Sequence, residues 1–137
     1  MSRPTNALIV DDEPHVRVYL QLLLKEVGIP TTWQAVDGAQ ALAMAALHRP
    51  ELVLLDINLP MLNGLEVLEQ LGKMLPGVPV IMVTAQGAMK TVLEAIKLGA
   101  VAYILKHSPK AEASRMLREA LDNIDAPAEE AEGLQEG

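Results

Sequence analysis

Five short β-prone runs recur along the chain, separated by segments with helical spacing. The runs are Ala7-Leu8-Ile9-Val10, Thr31-Thr32-Trp33-Gln34-Ala35-Val36, Leu52-Val53-Leu54-Leu55, Val78-Pro79-Val80-Ile81-Met82-Val83 and Val101-Ala102-Tyr103-Ile104-Leu105. Between the first two, Val16, Leu20, Leu23 and Val27 repeat at helical intervals until Gly28 stops them. An Ala-rich helix is expected from the Asp37–Gln40 capping box to about His48, with Pro50 beyond its end. Further helices are expected over residues 64–71, closed by Pro76-Gly77, and from Met89 to Leu98, closed by Gly99. The last presents Met116, Leu117, Ala120, Leu121 and Ile124, with Ser108 as N-cap and Pro109 at the first helical position. Pro79 belongs near a strand start, where a missing N–H is tolerated. Most of these strands are continuously apolar, the pattern of strands covered on both faces. Right-handed crossovers between five such βα units give an open parallel sheet of the α/β class.

The chain of 137 residues is long enough for one domain with a core. Half of it is hydrophobic while aromatics are 2%, so that core must be aliphatic. Without cysteine there is neither a disulfide nor a thiolate zinc site. Acids interrupt the first apolar run at once, unlike a signal peptide, and no run approaches the ~20 residues that span a bilayer. A cytoplasmic location is expected. Net charge is −7, but residues 125–137 carry five acids and no Lys or Arg; without them 13 acidic residues face 11 basic ones, or −2. The division expected is a body over residues 1–124 and an acidic, disordered tail over 125–137. No basic block is present, so neither nucleic acid nor a membrane is an expected direct partner.

Open parallel sheets bind ligands beyond the carboxyl ends of their strands. The residues delivered there are Asp11 and Asp12 after the first strand, Asp56 after the third, Thr84 and Ala85 after the fourth, and Lys106 after the fifth. Taken singly, each has an ordinary structural explanation: turn former, helix cap or solvated surface charge. Together they place three carboxylates and an ammonium at one edge. The carboxylates repel one another, and Lys106 offsets only part of that charge. A hard divalent cation such as Mg²⁺, with Mn²⁺ as an alternative, would offset the rest through oxygen ligands. Such a cluster suits phosphoryl transfer, which depends on positioning and charge neutralisation, and a carboxylate can itself attack phosphorus.

Four stretches in order, "LIVDDEPHVR" at 8–17, "LVLLDINLPMLNGLEVL" at 52–68, "VIMVTAQG" at 80–87 and "AYILK" at 102–106, make the chain resemble the receiver domain of bacterial two-component response regulators. The resemblance covers residues 6–124. It implies the flavodoxin-like, doubly wound (βα)5 fold with strand order 2-1-3-4-5. It further implies that Asp56 is the phosphoacceptor and that Asp11, Asp12, Asp56 and the backbone carbonyl of Asn58 hold Mg²⁺. Thr84 and Lys106 then assist at the phosphoryl group, Thr84 and Tyr103 switch with it, and small Ala85 leaves it room. Asn58 and Gln86 stand at positions that modulate hydrolysis. The implied donor is a histidine kinase or histidine phosphotransfer protein, and the implied output is a downstream protein docking on residues 88–121. On this reading the chain is a magnesium-dependent phosphorelay switch and not a metabolic enzyme.

One departure stands out. The family usually has Pro after the Lys at position 106, whereas this chain has His107, with Pro109 two residues later. A cis bond before a non-proline residue costs about 3 kcal/mol, so a trans Lys106–His107 bond and an altered loop are expected. Two rival functions follow from the same residues. One is a phosphatase with an aspartyl-phosphate intermediate, for which Glu13 stands where a second Asp is wanted. The other is a phosphorylation-independent interaction module. The P-loop pattern is absent. Whether the chain stands alone or is part of something longer is left open.

Overall fold

The computed structural model describes residues 3–85 and 89–124. Five parallel strands form one sheet in the order β2-β1-β3-β4-β5: β1 Asn6–Val10, β2 Thr31–Ala35, β3 Val53–Asp56, β4 Val80–Thr84 and β5 Ala102–Leu105. Between and after them run α1 Pro14–Glu26, α2 Gly38–His48, α3 Gly64–Met74, α4 Met89–Lys97 and α5 Lys110–Ile124. The parallel α/β sheet is the one the apolar runs predict, and the flavodoxin-like strand order is the one the family resemblance implies.

Strand side chains alternate between two cores. Leu8, Val10, Val53 and Leu55 face α2, α3 and α4, where they meet Ala41, Val67, Leu71 and Val92. Ala7, Ile9, Leu52 and Leu54 face α1 and α5, where they meet Leu20, Leu24, Leu117 and Leu121. Every residue of β3 is buried, which is why its sequence shows no polar alternation. With helices on both faces, chain direction around the sheet reverses between β1 and β3. The crevice outside their carboxyl ends is the switch point of this topology.

Local signals account for most boundaries. Asp37 accepts a hydrogen bond from the Gln40 amide at 2.7 Å, and Gln40 Oε1 accepts from the Val36 amide, so the capping box is formed one residue wide. Asn63 caps α3 by accepting from the Glu66 amide at 3.0 Å. Two expectations need correction. Asp56 is the last residue of β3, paired with Val83, and not the first residue of the loop. Ser108 does not cap α5: its hydroxyl donates to the Leu105 carbonyl at 2.8 Å, and Pro109 supplies the carbonyl that starts the helix. The early turn at Ser108 arises because His107 takes a left-handed backbone, φ 64°; the described peptide bonds are all trans, Lys106–His107 included.

The return from β3 to α3 is tightly fitted. Met61 has φ 72°, and the Leu62 amide closes a three-residue turn onto the Pro60 carbonyl at 2.9 Å. Such left-handed backbone in a non-glycine residue costs about 1–3 kcal/mol. The chain then brings Gly64 against the strand end, its amide donating to the Ile57 carbonyl at 2.7 Å. A Cβ on Gly64 would lie 2.4 Å from the Asp56 carbonyl oxygen and 2.6 Å from the Ile57 Cα. Both neighbours are backbone, so neither can rotate away. Gly64→Ala is expected to destabilise the fold by about 1–3 kcal/mol, as overpacking does, measured as a lower urea midpoint at unchanged slope.

Candidate functional site

Register builds the site. Val10 lies beside Leu55, so Asp11, just past β1, and Asp56, the last residue of β3, come out side by side at the sheet's carboxyl edge. The Asp11 amide donates to the Ala35 carbonyl at 3.1 Å, and the Arg17 guanidinium donates to the Asp11 carbonyl at 2.8 Å, bracing the strand end from α1. Lys106 follows β5, and its amide donates to the Thr84 carbonyl at 2.7 Å, which ties it to the end of β4. Its long side chain then reaches back across β4 to the carboxylates of β1 and β3.

There Lys106 Nζ lies 3.0 Å from Asp11 Oδ2, 3.1 Å from Asp56 Oδ2 and 3.1 Å from Glu13 Oε2. The contacts to Asp56 and Glu13 are directed hydrogen bonds. Asp11 Oδ2 is at ion-pair distance but outside hydrogen-bond angles, and this buried oxygen has no hydrogen-bond partner. The remaining carboxylate oxygens are used locally: Asp11 Oδ1 accepts from the Glu13 amide at 2.9 Å, and Asp56 Oδ1 from the Asn58 amide at 3.1 Å. Oxygens of Asp11, Asp12 and Asp56 lie within 4.8 Å of one another, Asp12 being the exposed member.

The electrostatics follow from this geometry. Burial raises the Asp56 carboxyl, the neighbouring Asp11 raises it further, and Lys106 restrains the rise; the result is a pKa of about 6. Burial pulls the Lys106 ammonium down, but its contacts with Asp11, Asp56 and Glu13 outweigh that and hold it above the ordinary lysine range. The hydrogen bond from Lys106 holds Glu13 below the ordinary carboxylate range. One ammonium against four carboxylates leaves the cluster strongly negative. That excess, the orphaned buried Asp11 oxygen and an all-oxygen donor set fit a hard divalent cation held by Asp11, Asp12 and Asp56.

Of the other residues singled out from the sequence, Thr84 is fully buried, and its hydroxyl donates to the Ala85 carbonyl at 3.3 Å and not to Asp56. Ala85 and the Asn58 side chain are exposed at the rim. Tyr103 is half-buried against the core on the α2–α4 side. Gln86 lies outside the described residues, as do Ala88 and the 125–137 tail. Glu13 was not among the expected site residues, although the run Asp11-Asp12-Glu13 held the signal. Its side chain was hidden by its place at a helix start, where an acid is unremarkable.

Comparison with known proteins agrees with this geometry. The family described as response regulator receiver domain matches residues 7–118. Protein CcdB of Bacillus subtilis is 38% identical over 102 residues, 74% of this chain and 85% of that protein. Sporulation initiation phosphotransferase F of the same organism is 36% identical, over 72% of this chain and 79% of its own. The probable transcriptional regulatory protein TcrX of Mycobacterium tuberculosis is 36% identical, but the match spans only 44% of its length. The crystal structure of the receiver domain of NtrX from Brucella abortus superimposes with a TM-score of 0.77 at 34% identity, covering 85% of this chain and 98% of that one.

The elevated Asp56 pKa has a consequence for stability. Folding makes Asp56 bind its proton more tightly, moving its pKa from 3.8 to about 6. Its stabilising contribution is therefore fully present below about pH 4 and is lost as pH rises through 6. In chelator, Asp56→Asn should gain stability over the wild type as pH rises from 4 to 7, by about 1–3 kcal/mol. Urea unfolding of both proteins at the two pH values measures it.

Proposed function

This chain belongs to the response regulator receiver domain family, and from that premise we propose that it is a phosphorylation-controlled switch whose phosphoacceptor is Asp56. The observation that carries the reading is the Asp56 carboxylate, buried at a rigid strand end and hydrogen-bonded by Lys106 at 3.1 Å. A carboxylate so fixed needs little reorganisation to attack phosphorus. An Asp56 oxygen forms a bond to phosphorus while the P–N bond of a donor phosphohistidine breaks, and the departing imidazole nitrogen takes a proton from solvent. The product is an acyl phosphate on Asp56.

Lys106 is placed to pair with the charge that develops on the phosphoryl oxygens. Mg²⁺ held by Asp11, Asp12, Asp56 and the Asn58 carbonyl would add neutralising charge at those same oxygens. Thr84, whose hydroxyl has only a long bond to a neighbouring carbonyl, is free to turn toward the phosphoryl group, and Tyr103, half-buried, has room to follow. This repacking biases two arrangements of the α4 region. α4 leaves Met89, Leu93 and Ile96 exposed, an apolar surface within residues 88–121 that suits a protein partner. The donor is a histidine kinase or histidine phosphotransfer protein. Residues 1–124 act as one receiver unit. Among the described residues, no helix is long and apolar enough to cross a membrane.

Incubation with acetyl phosphate and Mg²⁺ is expected to add the mass of one phosphoryl group to the wild type and nothing to Asp56→Ala; equal labelling of both by intact mass would refute the assignment. Asn58 and Gln86 set the lifetime of the acyl phosphate by admitting or excluding water. Asn58→Lys should change the first-order decay of phosphorylated protein, read by the same mass measurement over time.

A further inference from the structure

Glu13 is the one site residue without an assigned part. It stands at the N-cap of α1, where a carboxylate ordinarily serves the free helix amides, yet its side chain makes no capping bond. It turns away from the helix and accepts from Lys106 Nζ at 3.1 Å. Its backbone is pinned on both sides: its amide donates to Asp11 Oδ1 at 2.9 Å, and its carbonyl accepts from the Val16 and Arg17 amides. Lys106 is also ion-paired with Asp11 and hydrogen-bonded to Asp56. With the Glu13 backbone so placed, a side chain one methylene shorter falls short of Lys106.

The geometry points to Glu13 as a positioning residue, a latch that holds the Lys106 ammonium in the resting state and competes for it with an incoming phosphoryl group. This rests on the reading of Asp56 as phosphoacceptor and assigns a regulator of the same site. Asp11 and Asp56 are buried and fixed, whereas Glu13 is 42% exposed and can leave into solvent. When a dianionic phosphoryl group takes Lys106, Glu13 is the ligand that yields. The latch therefore sets how much of the Lys106 charge is available to the phosphoryl oxygens before transfer.

Two variants separate a contact from a field. Glu13→Gln removes the charge, while Glu13→Asp keeps the charge but falls one methylene short of Lys106. At saturating Mg²⁺, both are expected to raise apparent beryllofluoride affinity and the acetyl phosphate-driven labelling rate by about two- to fivefold, the range for an ion pair with one half-exposed partner. In metal-free protein without either probe, both should shift the carbon and nitrogen resonances at the end of the Lys106 side chain. Overturning results are an Asp variant that matches the wild type, weaker probe binding by either variant, or unmoved Lys106 resonances. If the wild type takes up neither probe, the phosphoacceptor reading fails and the competition fails with it. If wild type and both variants label at one rate, only the latch fails.

Discussion

One ammonium group holds the carboxyl edge of this sheet together. Lys106 Nζ sits about 3 Å from carboxylates of Asp11, Glu13 and Asp56, which come from β1, the start of α1 and β3. Without it, the buried acids at neighbouring strand ends would repel one another in a poorly solvated crevice. With it, they remain close but undercompensated. The edge is thus paired enough to fold and still carries an excess of negative charge where Asp11, Asp12 and Asp56 could hold a divalent cation.

The rest of the molecule serves to keep that edge in place. Parallel register puts Asp11 beside Asp56, and helices on both faces bury β3 throughout. Gly64 lets α3 start against the Asp56 carbonyl, at a separation no side chain could tolerate. Arg17 fastens the Asp11 backbone from the opposite face. These contacts are aliphatic packing, backbone pairing and one glycine. They explain why the sequence spends few polar residues away from its surface and its strand ends.

Much of this was legible in the chain. Apolar runs with both faces buried announce parallel strands, and Gly28, Asp37 and Gly99 mark helix ends by local chemistry that needs no distant partner. The acids and Lys106 were legible because each directly follows, or ends, such a run. Three things were less so. Asn63 is of a type that serves caps and turns alike, Ser108 reads as a cap, and Glu13 stands at a helix start, where an acid is common. Each is decided by where a side chain turns, and the choice depends on neighbours that lie far off in the chain or on a backbone twist such as that at His107.

The boundary between the two kinds of information is therefore physical. Periodicity and capping act over a few residues, so element type, sheet class and the identity of the charged cluster follow from the amino-acid order. Electrostatic partnership acts through space, across strands brought together by a fold. That Lys106 reaches three acids at once, that Glu13 abandons its own helix to be one of them, and that the buried Asp11 Oδ2 is ion-paired but not hydrogen-bonded were settled by packing, because each depends on distances between residues that sit as much as 95 positions apart.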